Sequence, residues 1–440
     1  TWDLFRYPGI RSDSDMYTLG YQFRPWREQA SIAEGDAILR YLHETADAYD
    51  LRRRIRFHHR VTRASWSSDE ARWQVTVERG DTGETVVLTC SFLFMCSGYY
   101  DYATGHAPAF PGVEQFRGRV VHPQQWPEDL DYAGKRVIVI GSGATAVTLV
   151  PELAKEAAHV TMLQRSPTYV LSLPAVDRVA KRLRRVLPPK ALHFVVRWKN
   201  ILMSTAFYTL CRKAPKRARA LLRMAARHEL GRDYDVDTHF NPRYDPWDQR
   251  LCVVPDGDLF HAIRDGRVSV VTDTIETFTE RGLRVASGAE LEADLIVTAT
   301  GLKMLFMAGM EVEVDGARVD PARCTSYKAM MLSDVPNLAL SFGYTNASWT
   351  LKSDLTGEYV CRLLLHMRSH GYRRCVPRLR DPTVERRDFL DFSSGYVQRA
   401  LSSMPKQGSK PPWMLHQNYV LDVMMIRHGR IDDEAMEFAR

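Results

Sequence analysis

The hydrophobic positions of this chain fall into stretches of different period. From 56 to 99 short strand-like runs alternate with turns, clearest in ARWQVTVERGDTGETVVLTCSFLFMCSGYY, where Asp81 to Glu84 read as a hairpin turn. A linker follows from 100 to 130. KRVIVIGSGATAVTLVPELAKEAAHVTMLQRS then gives a strand, a glycine turn, a helix and a second strand, which is one βαβ unit. Residues 178–232 carry apolar positions at helical spacing (Phe194, Trp198, Ile201, Leu202, Phe207). Strand patterns return in RVSVVTDTIETFT, LRVAS and DLIVTATG. Beyond 302, short strands such as LALSFGYT accompany a helix through GEYVCRLLLHMRSH. No repeat of solenoid type occurs.

Composition narrows the class. The 440 residues suffice for two or three domains, and the apolar and charged fractions are those of an ordinary soluble protein. Seven scattered cysteines without a C-x-x-C pair speak against a disulfide framework, a zinc site or a dithiol flavoenzyme, and for a reducing cytoplasm. No signal peptide opens the chain and no apolar run is long enough to span a bilayer. The net charge of +7 is concentrated in RVAKRLRRVLPPK and CRKAPKRARALLRMAARHELGR. This stretch reads as a solvated helical insertion packed on its domain, with peripheral contact to an anionic membrane as the alternative and no nucleic-acid binding.

Gly141-Ser142-Gly143-Ala144-Thr145-Ala146 follows the apolar strand and opens a helix. The first glycine permits a tight turn, the second lets the backbone approach a pyrophosphate, and Ala146 takes the third position as a small residue. The helix N-terminus offers free N–H groups to phosphates. An NAD site usually carries an acid at the end of the second strand; here HVTMLQRSP places Arg165 and Ser166 there, which suits the 2′-phosphate of NADP.

The stretch before this unit, FRGRVVHPQQWP, is F-x-G-x-x-x-H-x-x-x-W-P, carried by Phe116, Gly118, His122, Trp126 and Pro127. It resembles the fingerprint of the type I Baeyer–Villiger monooxygenases among the class B flavoprotein monooxygenases. WDLFRYPGIRSD, LFMCSGYY, DLIVTATG and PWDQRLCVVPDGDLFHAI resemble further segments of that family. HPQQWPEDLDY, GYTNASWTLKSDL and PKQGSKPPW are similar to its ethionamide-activating branch.

The resemblance implies an α/β fold with two Rossmann-like dinucleotide domains, for FAD and NADP. Residues 1–133 and 301–440 would belong to the FAD domain, 134–177 and 233–300 to the NADP domain, and 178–232 to the basic insertion. The family's opening G-x-G-x-x-G turn is not in these residues, so the first FAD βαβ unit is expected to be truncated, as in a fragment.

The implied reaction turns hydrophobic ketones into esters with O2 through a C4a-peroxyflavin, and also oxidises sulfides or thioamides. The active-site arginine falls on Arg250, with Asp13 orienting it and His122 positioning domains and cofactor. The cofactor side takes Thr1, Trp2, Asp3, Arg11, Ser12, Asp13 and Val61, beside the Gly141–Ala146 turn, Arg165 and Ser166. No metal is expected. Phe342, Tyr344, Trp349 and Leu351 fit either a ketone pocket or a packed core, and Ser353-Asp354 fit a helix cap. An N- or S-oxygenating flavin monooxygenase, and a non-catalytic NADP-binding protein at a membrane, stay open as alternatives. Trp126 and Arg250 speak against the first of these.

Overall fold

Arg136–Ile140 places four apolar residues in succession, a run that needs cover on both faces. In the computed structural model, which describes residues 1–440, this strand lies inside a five-stranded parallel sheet. The order is Val268–Thr272, His159–Gln164, Arg136–Ile140, Leu295–Thr298, Arg119–Val121. Val137 and Val139 enter one core with the helices Ala144–Leu153 and Asp258–Arg264. Ile138 and Ile140 enter another with Phe116, Phe278 and Leu283. Alternate residues of one strand thus build two layers.

Contact divides the chain into 1–45 with 102–303, and 46–101 with 304–440. These limits differ from 1–133, 134–177 with 233–300, 178–232 and 301–440. The segments LFMCSGYY and DLIVTATG do lie just before crossings between the units, at 101/102 and 303/304. The third crossing, at 45/46, falls within the helix Gly35–Ala48.

Residues 1–45 join the parallel-sheet unit for physical reasons. The backbone N–H groups of Ser31 and Ile32 both donate to the Ala175 carbonyl, at 2.7 and 3.2 Å. The buried Arg197 guanidinium donates to the carbonyls of Tyr17 and Gly20, both at 2.9 Å, and of Thr18 at 3.4 Å. Arg197 belongs to Pro189–Lys213, the longest of three helices (with Arg178–Leu183 and Pro215–Leu230) that make up most of 178–232.

In the second unit, His59–Ser67, Arg72–Arg79 and Thr85–Cys90 form an antiparallel meander, with the hairpin turn at the expected Asp81–Glu84. Trp66 and Trp73 pack edge to face in its core, 5.5 Å apart. The C-terminal helix runs Trp349–His370, starting well before GEYV, with Ser348 at its N-cap position. Ser353 and Asp354 therefore lie inside the helix rather than capping it, and Ser353 hydrogen-bonds Ser341 at 2.9 Å. Phe342, Tyr344 and Leu351 are buried in this unit, the packed-core outcome. Close by, Lys352 and Asp422 form a fully buried ion pair at 2.8 Å, to which the Tyr344 hydroxyl adds a bond of 2.6 Å.

His193 sits on the buried side of Pro189–Lys213, its ring 6.0 Å from that of Tyr17, and neither ring nitrogen has a hydrogen-bond partner. Burial, helped by the nearby Arg197 charge, lowers its pKa from 6.5 to about 4. The unfolded chain therefore binds a proton that the folded chain refuses between those values. Stability is complete above pH 6.5 and is lost as pH falls towards 4, by up to about 3 kcal/mol. His193→Phe is expected to make this acid limb shallower in a profile of Tm against pH. An unaltered limb would mean that His193 does not carry it.

Candidate functional site

The turn after Arg136–Ile140 is built for close backbone approach. Gly141 has φ 132°, and a Cβ there would lie 2.4 Å from the Ala299 carbonyl oxygen, so a side chain is excluded twice over. Its N–H donates to the Leu163 carbonyl at 2.8 Å, tying the turn to the neighbouring strand. A Cβ on Gly143 would meet nothing within 4 Å, so the backbone faces open space. Gly143 is the N-cap of Ala144–Leu153 and no side chain caps that end, leaving its leading N–H groups available to an anion. Ala146 is fully buried in the core beside the sheet, where a larger residue would push the helix away.

The flank of the turn is fixed by Ser142, whose hydroxyl meets Thr168 Oγ1 at 2.8 Å and the Ser166 carbonyl at 3.3 Å. Arg165 and Ser166 follow the last residue of His159–Gln164 and are both exposed. Gln164, by contrast, turns inward and donates to the His239 carbonyl and to Thr272, each at 2.8 Å. The Arg165 guanidinium has no ion-pair partner. An exposed arginine and hydroxyl next to a glycine cradle fit a phosphorylated ribose and offer no carboxylate to a free diol.

Arg250 and Asp13 meet. Arg250 Nη2 lies 2.9 Å from Asp13 Oδ2, although 237 positions separate them, and both side chains stay about a third exposed. A second pair runs crosswise between the same two segments, Arg11 Nη1 to Asp258 Oδ2 at 2.5 Å. Arg250 precedes Cys252–Pro255, which pairs in parallel with Val170–Leu173 behind the Ser166–Thr168 flank. The Cys252 thiol, pushed up to about 12 by complete burial, reaches the Ser142 carbonyl at 3.8 Å. The arginine thereby stands two residues before a cysteine that touches the glycine turn.

The fingerprint residues divide by task. Phe116 is buried against Phe278, and a Cβ on Gly118 would lie 2.4 Å from the Phe116 ring and 2.5 Å from the Asp294 carbonyl oxygen. Trp126 packs on the core against Tyr132. These positions, with Pro127 behind them, shape the linker.

His122 is half-buried, and burial holds it below its ordinary pKa. Its Nδ1 accepts from the Gln124 N–H at 3.2 Å, which leaves the proton on Nε2, a buried atom directed at the Gly301 backbone carbonyl. The ring packs onto Gly105, where a Cβ would lie 2.0 Å away. It shares a cavity of about 50 Å³ with Phe5, Tyr7 and Thr145, the last from the first turn of the nucleotide helix.

The remaining candidates are spread more widely. Thr1 hydrogen-bonds Tyr102, Asp3 pairs with Arg6 at 3.1 Å, and Trp2 packs against the Met16–Trp26–Tyr41 core. Ser12 is buried, its hydroxyl accepting from the Ala33 N–H at 3.1 Å, which makes it a backbone brace. Val61 stands in the second unit, on His59–Ser67.

Asp258 and Cys252 were not singled out by the sequence. Asp258 does carry the signal of an acid in the first turn of a helix, but nothing local announces Arg11 as its partner.

The Gly141 turn fits one dinucleotide, and no second G-x-G-x-x-G or G-x-G-x-x-A occurs in the 440 residues. The residues expected on the flavin side, at 1–3 and 11–13, thus stand without such a turn among the 440 residues. Among them Arg11 Nη2 is buried without a partner, beside a cavity of about 610 Å³.

A family model described as flavin-binding monooxygenase-like matches residues 25–334. The FAD-containing monooxygenase EthA of Mycobacterium tuberculosis is 55% identical over 441 residues, covering 100% of this chain and 90% of that protein. Among solved structures, cyclohexanone monooxygenase with ε-caprolactone bound has a TM-score of 0.74 at 20% identity, covering 100% of this chain and 92% of its own. A steroid monooxygenase bound to NADP has a TM-score of 0.73 at 22% identity with the same coverage. The two structures establish the shared fold, and the chain belongs to the flavin-binding monooxygenase-like family.

Proposed function

We propose that this protein is an FAD- and NADPH-dependent Baeyer–Villiger monooxygenase that converts hydrophobic ketones to esters, with sulfides and thioamides as a second substrate class. The observation that carries the reading is the Arg250–Asp13 pair, two residues from the Cys252 thiol that touches the Gly141 turn. Family membership and a FAD-containing relative at 55% identity support the flavin. A structural neighbour bound to NADP supports the nicotinamide cofactor. In this reading 134–177 and 233–300 hold NADP, and 1–133 with 301–440 hold FAD.

Bound FAD and NADPH supply the oxygen activation and the hydride. The protein's part is electrostatic and geometric. Arg250 brings a charge that no accessible pH removes, and it can stabilise negative charge as it develops on the oxygen atoms at the substrate carbonyl. Asp13 fixes the plane of the guanidinium through a charge-assisted bond. Both side chains keep about a third of their surface, so the pair contributes little to stability and its value lies in orientation. The open helix N-terminus at Gly143 takes the pyrophosphate, and Arg165 with Ser166 takes the 2′-phosphate. His122, neutral at neutral pH, places an Nε2 proton beside Thr145 and acts as a positioning residue.

The first test supplies the protein with FAD and NADPH and offers a panel of apolar ketones, the products being identified by mass. Arg250→Ala is expected to lower ester formation by at least about 100-fold while FAD reduction by NADPH persists. Arg250→Lys should recover only part of the loss, because a point charge cannot keep the planar contact with Asp13. NADPH consumption that yields only peroxide with every ketone and sulfide would overturn the substrate class. Failure of the protein to retain flavin would overturn the reading itself.

A second measurement addresses the nicotinamide cofactor. Arg165→Ala is expected to raise KM for NADPH roughly tenfold to a hundredfold, the worth of a charge-assisted contact to phosphate, and to leave KM for NADH unchanged. Equal effects on both cofactors would remove Arg165 from the 2′-phosphate site.

A further inference from the structure

Residues 178–232 hold sixteen lysines and arginines against a single acid, Glu229. Their helices use only part of their surface for packing. Pro189–Lys213 buries Leu192, His193, Val196, Arg197, Ile201 and Cys211 on its inner side. An ordinary surface helix turns mainly polar residues outward, and this one turns large apolar residues outward as well. Phe194 (58% exposed), Leu202 (55%) and Met203 (62%) point to solvent. Phe194, Trp198 and Leu202 succeed one another at spacing i, i+4, i+8 and so form one ridge along the helix. The turn just before it adds Val186 at 74% exposed, and the packed neighbour Pro215–Leu230 adds Met224 at 61%.

The charges surround this ridge. Arg182, Arg185 and Lys190 precede it, while Lys213, Lys216 and Arg217 follow it, and none of these six has an acidic partner. The bases that do pair look to acids outside 178–232, as Lys199 does with Asp177 and Arg212 with Asp248. An apolar stripe with unneutralised cations at both ends is the chemistry of a helix lying in an anionic lipid interface, with rings and aliphatic chains among the acyl groups and cations at the headgroups. No helix of the structure is long and apolar enough to cross a membrane, so the contact would lie in the plane of the surface. A second copy of the chain is the poorer occupant. A two-fold contact would set these acid-free basic faces against each other and repel.

We propose that the outward face of Pro189–Lys213, with the preceding turn at Val186, docks the protein on anionic membrane surfaces. The inference is independent of the reaction proposed above.

The test is cosedimentation of the full chain with vesicles of phosphatidylcholine alone or mixed with phosphatidylglycerol. The expected result is binding to the mixed vesicles only, reversed by high salt. The double variant Phe194→Asp/Leu202→Asp should reduce the bound fraction at least tenfold, roughly the loss of two buried apolar side chains. Both positions face solvent, so circular dichroism should show the helix retained; Leu202→Phe should bind as the unaltered protein does. No binding to mixed vesicles, or binding unaffected by the double variant, overturns the proposal. So does a dimer in the absence of vesicles that the same variant converts to monomer, since a second copy would then own the face.

Discussion

Asp13 stands against Arg250 because the first 45 residues are fastened to the rest of their unit, and the buried Arg197 guanidinium is a central fastening beside the Ser31 and Ile32 bonds to Ala175. A guanidinium removed from water needs acceptors for its five N–H groups or it destabilises what surrounds it. The carbonyls of Tyr17, Thr18 and Gly20, around the end of the short helix Met16–Leu19, are acceptors that the helix itself leaves open. Each side answers the other's deficit, so the two segments settle together. The basic insertion is for this reason a structural part of the site, although it contributes none of the residues assigned to the reaction.

From that attachment the electrostatics of the site follow. Residues 11–13 carry one cation and one anion, and residues 250–258 carry their opposites, paired as Arg11 with Asp258 and Asp13 with Arg250. Only one sense of docking matches both pairs; a reversed approach would set like charges together. The inner pair, with the Arg11 side chain only 12% exposed, is the more sheltered and so the stronger anchor. The outer pair stays open to solvent and to ligand.

The strand, turn and helix around Gly141 were legible because each residue obeys a local rule: an apolar run, a φ that only glycine tolerates, a small residue at a tight contact. The hairpin at Asp81–Glu84 was legible for the same reason. What sequence could not supply was partnership at a distance. Arg250 and Asp13 came from a family pattern, and nothing in their neighbourhoods says that side chains 237 positions apart meet at 2.9 Å. Ser12 came from the same family pattern as a cofactor-side residue, but its oxygen serves the Ala33 N–H. The grouping of residues 1–45 with 102–303 rests on contacts such as Ser31 with Ala175, invisible to periodicity.

The fingerprint at 116–127 combines both kinds of information. Its Phe, Gly and Trp obey packing: Gly118 exists because Phe116 and the Asp294 carbonyl occupy the space of a side chain, and Trp126 closes a core edge. His122 adds polar ties to that packing, half-buried between the Gln124 N–H and the Gly301 backbone. The fixed spacing therefore does one thing with several residues. It folds the linker so that a tethered, neutral-leaning imidazole lines the same small cavity as Thr145, in the first turn of the nucleotide helix.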